Sequence, residues 1–224
     1  MLDEVAGFFA SNPADASAAG SSLFRGDSPT TRAIKTFISE RCEGAFMALA
    51  HSAVRDAAEA IEKERASPLC CIAGRDLNPT RKQQILVRHL ARAFLDGNGG
   101  PRPMELIVPV EVRAFLRELR DLVSRWAQPA GLARASADNV VPGSLILRGA
   151  SAWIIAHATS RDLPGESRNL YLDLSRMLMS ISTPNPYRPP VDASGAVTTQ
   201  GMELAAAVDR LKPYAQEVFD AIVA

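Results

Sequence analysis

One nearly uninterrupted apolar segment, residues 142 to 157, places the tightest limit on how this chain folds. Its only formally charged residue is Arg148, and its large apolar residues are Leu145, Ile146, Leu147, Trp153, Ile154 and Ile155. A helix that is apolar on every side is buried among other elements. Since 47% of all residues are hydrophobic, the chain can surround such a helix with a sizeable core. We therefore predict an all-α, single-domain helical bundle with this segment as its central helix.

Helical periodicity covers most of the remaining chain, and a period of two is nowhere sustained. In the longest stretch, Ser28 suits an N-cap, Pro29 suits the first helical position, and an apolar stripe runs from Ile34 towards Ile61. Further helices are predicted over about residues 79–95, 109–126, 166–181 and 201–223, the last with a kink at Pro213. Residues 183–200 are predicted as an irregular, proline-rich connection. The expected domain spans residues 1–224.

The charge balance and the N-terminus narrow the class of protein. Lys and Arg number 25, as do Asp and Glu, so no general attraction to nucleic acid is expected. The sequence opens with acidic residues rather than a signal peptide, and no apolar run reaches the length of a membrane span. The histidines His51, His89 and His157 fit no metal-ligand spacing, and the odd cysteine count does not indicate a disulfide framework. We expect a cytoplasmic protein without a transmembrane segment.

Motifs for self-contained catalysis are absent from the sequence. There is no glycine-rich loop followed by Lys-Ser or Lys-Thr, so the chain does not resemble a nucleotide hydrolase. There is also no Gly-x-Ser-x-Gly turn and no pair of acids that periodicity places on one helical face. Any chemistry is therefore expected to depend on a partner.

Two arginines stand out by their surroundings. Arg25 follows the apolar pair Leu23-Phe24, precedes the flexible Gly26, and lies just ahead of the capped helix. Such a loop can hold a guanidinium away from the surface, although an arginine before a helix is also a common solvated charge. Arg148 interrupts the most apolar segment. It either bonds to carbonyls of a helix end or loop, or extends its charged end from a core helix to water.

Five short segments follow one another in register over the helical pattern. They are Ser22-Leu23-Phe24-Arg25-Gly26, Asp76-Leu77-Asn78-Pro79-Thr80, the stretch from Glu111-Val112-Arg113 to Trp126, Pro142-Gly143-Ser144-Leu145-Ile146-Leu147-Arg148, and Arg168-Asn169-Leu170-Tyr171-Leu172. In order and spacing they resemble the catalytic domain of the Ras GTPase-activating proteins from about Leu2 to Tyr187. No segment is specific alone, and the resemblance depends on the five together.

This resemblance implies a function and a set of site residues. Arg25 falls on the arginine finger of the family, and Arg148 falls on the arginine that braces the finger loop, which implies a buried side chain. Phe24 and Leu147 fall on the partner-binding surface. The implied partner is a Ras-type small GTPase in its GTP-bound form. GTP and Mg²⁺ belong to that partner, so no cofactor is expected here. The implied protein is a monomer in the cytoplasm, at the inner face of the plasma membrane, or in a host cytosol if secreted as an effector.

The chain departs from the family pattern where the family binds its partner. After Arg148 the family usually continues towards Pro-Ala-Ile, whereas Gly149 and the residues after it include no proline. The later Lys, Gln and Ala-Asn positions of the family are not matched. Arg176 either replaces the lysine, displaced by one residue, or is a solvated helix charge. Asn185 is a candidate to replace the lost asparagine.

Two other functions remain compatible with these residues. One is a scaffold of the same fold that binds a GTPase without activating it, which the departures favour and Arg25 opposes. The other is an unrelated helical adaptor that binds its partner regardless of nucleotide.

Overall fold

The chain is helical in a computed structural model that describes residues 29–67, 76–94, 108–127, 140–160, 163–183, 185–191 and 194–224. Of these residues 82% are helical. Within the described ranges, the only β contact is an isolated antiparallel bridge between Val191 and Val197. The prediction of an all-α protein is confirmed. The predicted N-cap, Ser28, lies outside the described residues.

Seven helices, numbered in chain order, account for the described architecture. They are α1 (Pro29–Arg65), α2 (Pro79–Phe94), α3 (Val110–Ala127), the central helix α4 (Val140–Ala158), α5 (Gly165–Ile181), α6 (Thr199–Asp209) and α7 (Lys212–Val223). The central helix contacts α1, α3, α5 and α7, while α2 packs against α1, α5 and α6. The apolar segment therefore contacts four other helices.

The central helix changes its winding along its length. A short α-helical start, Val140–Pro142, passes into a π-helix at Gly143–Ala150 and returns to an α-helix at Ser151–Ala158. In the π-helical part only Leu147 and Arg148 are partly exposed, and the other six residues are buried. π-helical turns are rare in proteins, and those that occur are often found at functional sites. Leu147 and Arg148 are therefore candidate site residues.

Burial on every side, as expected for the central helix, is correct only for residues 140–146. Ile155 is 41% exposed, so one face of the second half reaches the surface. The second half packs against α1 and α5, and these contacts do not cover Ile155 and Ala156. Length and composition alone would allow Val140–Ala158 to cross a membrane, but 61% of its most apolar window is buried inside the fold, as in a core helix.

Close approach of α1 fixes the π-helical part of the central helix. A Cβ atom placed on Gly149 would lie 2.7 Å from Cγ2 of Ile38 and 2.7 Å from Cε2 of Phe46. Real Cβ atoms do not come this close to neighbouring carbons, so any side chain at this position displaces the side chains of Ile38 and Phe46 on α1. The glycine is therefore required by packing, directly after the site arginine Arg148.

The C-terminal helix predicted over residues 201–223 is in fact two helices. The amide of Leu211 donates to the carbonyl of Val208 at 3.0 Å, which closes a tight turn after α6. Pro213 occupies the first turn of α7, where a missing N–H is harmless. The predicted kink therefore becomes a complete break, because proline cannot extend the hydrogen-bonding pattern of α6.

Candidate functional site

A groove of about 780 Å³ lies where the central helix, α5 and the connection after α5 meet. Leu147 and Arg148 line it from the π-helical part, and Arg176, Met179 and Ser180 line it from α5. The connection supplies Thr183, Asn185, Pro186, Tyr187 and Arg188. Two parts of the chain that are distant in sequence, residues 147–148 and residues 176–188, therefore form one surface, called the arginine groove below.

The arginine groove contains every described residue that the sequence analysis placed in the partner site. These are Leu147, Arg148, Arg176 and Asn185. The other two predicted site residues, Phe24 and Arg25, lie outside the described residues, and so does the predicted bracing contact between Arg148 and the finger loop. The four described residues were assigned to one site individually, and the fold places them around one cavity.

Arg148 reaches the groove from a buried stretch of helix. The resemblance implies a buried side chain, but Arg148 is half-buried. Leu147 and Arg148 are the only residues of the π-helix that are not buried, because they lie on the side that faces the groove. The guanidinium therefore has access to a partner while its stem stays packed.

Arg176 is held by an acidic neighbour on its own helix. Its Nη1 donates to Oδ1 of Asp173 at 2.9 Å, and its side chain is 63% exposed. Burial raises the pKa of Asp173, while hydrogen bonds from Gln83 and Arg176 and the charge of Arg176 act in the opposite direction. This pair orients Arg176 along α5 and leaves most of its side chain exposed to solvent.

The connection that carries Asn185 is anchored by a buried tyrosine. Tyr187 is buried, and its backbone amide donates to Oδ1 of Asp209 at 3.1 Å. Burial, and next the charge of Asp173, raise the pKa of Tyr187 to about 12, so its hydroxyl stays protonated. In addition, Nζ of Lys212 donates to the carbonyl of Asn185 at 2.5 Å. The exposed Asn185 and Arg188 are thus presented from a fixed backbone.

Arg188 was missed by the sequence analysis. It is exposed and gives the groove a third guanidinium, while no carboxylate is among the described residues that line it. A cleft lined by charges of one sign concentrates counter-charge and speeds the approach of an oppositely charged partner. The signal in the sequence is a lone cation between prolines, Pro186-Tyr187-Arg188-Pro189, directly after the predicted Asn185.

A second cavity, of about 320 Å³, lies at the other end of α5. It is called the paired pocket below because Arg65 and Lys82 in its lining pair with Asp76 and Glu166, while a third carboxylate of the lining, Asp173, pairs with Arg176. Arg65 donates two hydrogen bonds to Glu166, at 2.6 and 2.8 Å, and a third to Asp76 at 2.8 Å. Lys82 contacts the same two carboxylates at 2.8 and 2.9 Å.

The pKa values of the paired pocket agree with these ion pairs. Hydrogen bonds from Lys82 and Arg65 lower the pKa of Asp76 to about 2. The hydrogen bonds from Arg65 and Lys82 also lower the pKa of Glu166. These four residues join the end of α1, the start of α2 and the start of α5, so the pocket serves the fold.

Comparisons with known proteins add no assignment. A scan against protein-family models found no match, and neither a search of curated proteins nor a search of solved structures gave a significant one.

Proposed function

We propose that this chain is a GTPase-activating protein that accelerates GTP hydrolysis on a Ras-type small GTPase. In this proposal the arginine groove receives the GTP-bound partner, and Arg25 enters the partner's active site as an arginine finger. The observation that carries it is the convergence of Leu147, Arg148, Arg176 and Asn185 on one groove. The resemblance gave Arg148 as the brace of the finger loop and Leu147 as partner-binding, with Arg176 and Asn185 as further candidates for the partner surface.

The charge of the groove fits a partner with an acidic or phosphate-bearing surface. Arg148, Arg176 and Arg188 line it, and the net charge of the whole chain is zero. The attraction is therefore local to the groove, and a partner is steered to this face rather than to the surface as a whole. Guanidinium groups suit the task because their planar donors bind carboxylates and phosphates in pairs.

The proposed catalytic step adds one cation to an incomplete active site. During GTP hydrolysis negative charge develops on the transferring phosphoryl group and the leaving oxygen, and a slow GTPase leaves part of it unneutralised. Arg25 would supply that cation in trans and donate hydrogen bonds to those oxygens. Mg²⁺ and GTP remain ligands of the partner. An arginine supplied in this way accelerates hydrolysis by about 10³- to 10⁵-fold.

A non-activating scaffold of the same fold is the main alternative, and one observation favours it. Met179 lines the groove at a part of α5 where the family position for Gln is not matched. A scaffold would bind the GTP-bound partner and leave its hydrolysis rate unchanged or lower it.

Phosphate release from a panel of GTP-loaded small GTPases tests the proposal. Each GTPase is measured alone and with a substoichiometric amount of this chain, so that stimulation requires repeated turnover. We expect at least one member to hydrolyse GTP faster by more than about tenfold. Binding to a GTP-bound member without acceleration would support the scaffold. Binding that ignores the nucleotide would support the adaptor.

A further inference from the structure

Two histidines meet at the seam between α1, the central helix and α5. The ring centroids of His51 on α1 and His157 on the central helix lie 5.1 Å apart, with the rings nearly perpendicular. Trp153 stacks on His157 with a centroid distance of 5.0 Å, and Tyr171 on α5 lies 4.9 Å from His157. These four side chains are called the four-ring cluster below. The sequence analysis treated these two histidines as unrelated.

Hydrogen bonds link the cluster across the three helices. Nδ1 of His51 and the hydroxyl of Tyr171 are 2.5 Å apart. Burial raises the pKa of Tyr171, which keeps the hydroxyl protonated and able to donate to a neutral imidazole. Nε1 of Trp153 donates to Oε1 of Glu43 at 3.4 Å, at the edge of the indole ring. Glu43 therefore bonds to the indole ring rather than to either imidazole.

The charges that face His51 all disfavour its protonation. Burial is the larger cause that lowers the pKa of His51, and the charge of His157 is the second. Among the described residues no carboxylate acts on this pKa. Helix α2 also packs against α1. The charged groups near that contact act on the pKa of His89 rather than of His51; they are Arg92, Asp56 and Arg88.

We propose that the four-ring cluster is an acid-sensitive contact whose opening loosens the seam between α1, the central helix and α5. At neutral pH the two imidazoles pack edge to face. As the pH falls below about 6.5, where histidine changes charge, His51 has to take up its proton in a partly desolvated place. The charge of His157, about 5 Å away, opposes that proton.

The sign of the resulting pH effect follows from linkage. Since the pKa of His51 is lowered in the folded protein, the unfolded chain binds more protons below about pH 6.5. The cluster therefore leaves stability unchanged above that pH and lowers it as the pH falls through the lowered pKa. The contact lies on helices that also form the arginine groove, because Arg148 is on the central helix and Arg176 is on α5. This inference does not depend on which partner the groove binds.

A double-mutant cycle at two pH values tests the proposal. Thermal unfolding is measured at pH 7.5 and 5.5 for the unchanged protein, His51→Gln, His157→Gln and the double variant. Repulsion needs both rings, so acid should lower the Tm of the unchanged protein by about 3 °C more than that of either single variant. His89→Gln is the matched control, because the pKa of His89 is also lowered but by other neighbours. The effect of His89→Gln on the Tm should add to the effect of either cluster variant without coupling between them.

A second readout remains informative if a variant is too unstable for the cycle. In a Trp126→Phe background Trp153 is the only tryptophan. Its emission should change as acid opens the cluster and disturbs the stacking of Trp153 on His157, and His51→Gln should reduce or abolish this change. Equal coupling between the histidines at both pH values, or an emission change that His51→Gln leaves in place, would overturn the proposal.

Discussion

The two cavities at opposite ends of α5 use charged residues in opposite ways. In the paired pocket, Arg65 and Lys82 face Asp76 and Glu166 at 2.6 to 2.9 Å. In the arginine groove, the charged lining residues are three arginines. The ion pairs of the paired pocket join separate parts of the chain, whereas Arg176 in the groove pairs with Asp173 on its own helix and no described lining residue of the groove is a carboxylate. The comparison assigns the pocket to the fold, and under the proposed function the groove receives the partner.

The largest expected difference between the two regions is in stimulated turnover. Arg25→Ala should lower the single-turnover rate of the stimulated GTPase by on the order of 10³-fold, or about 4 kcal/mol of barrier. Arg25→Lys should restore little of it, because a point charge lacks the planar donors of the guanidinium. Glu166→Gln in the paired pocket should leave the rate unchanged. A folded Arg25→Ala variant with the full rate would remove the finger from the account.

Packing behind the groove is the next most sensitive feature. Gly149→Ala should cost about 1 to 3 kcal/mol of unfolding free energy, because its Cβ would meet Ile38 and Phe46 at 2.7 Å. Gly44→Ala is the matched control: Gly44 is also helical, and a Cβ there meets nothing within 4 Å. That change should stabilise the protein by about 0.5 to 1 kcal/mol. Chemical denaturation measures both. Equal effects would mean that α1 does not press on the π-helix.

Charge reversal at the groove should affect binding and leave folding nearly unchanged. Arg188→Glu should weaken binding to the GTP-bound partner by about tenfold, with a slower association rate and a weaker dependence of the affinity on salt. Arg210→Glu makes the same charge change on an exposed arginine that is not among the residues lining the groove. It should change the affinity little. Surface plasmon resonance at two salt concentrations compares the two variants, and equal losses would contradict a local electrostatic site.

Substitutions in the paired pocket should affect folding and leave binding nearly unchanged. Their effect is the smallest of those expected. Glu166→Gln should lower the unfolding free energy by about 1 kcal/mol, since it weakens contacts to both Arg65 and Lys82 in a partly exposed place. Glu62→Gln removes only an exposed contact to Arg65 and should lower the unfolding free energy less. Since the pKa of Glu166 is lowered in the fold, its contribution is present above about pH 4.5 and is lost as the pH falls further. Urea titrations from pH 7 to 3 check this.

Most of the helices could be predicted from the sequence because they depend on local patterns. The proline at the start of α1, the periodicity of α2 and α3, and the apolar run of the central helix each act within one segment. The break between α6 and α7 was predicted only as a kink, since the extent of a proline disruption depends on packing. The π-helical winding at Gly143–Ala150 was not predicted, because it arises where α1 presses on the central helix.

The candidate site was predicted in part. Leu147, Arg148, Arg176 and Asn185 came from the family resemblance, and the fold brings them to one groove. Arg188 was missed because an exposed arginine in an irregular segment has no periodicity to mark it. The contact between His51 and His157 was missed for a different reason. It joins two helices that are distant in sequence, and only tertiary packing brings the rings together.

Affinity of the chain for its GTPase in three nucleotide states tests the central claim most directly. The partner is prepared with GDP, with a non-hydrolysable GTP analogue, and with GDP plus aluminium fluoride, which imitates the transferring phosphoryl group. An activator binds the transition state more tightly than the ground state. We predict binding at least about a hundredfold tighter to the aluminium fluoride form than to the GTP form, and loss of that increment in Arg25→Ala. Equal affinity for all three forms would contradict the proposal that this chain activates a GTPase.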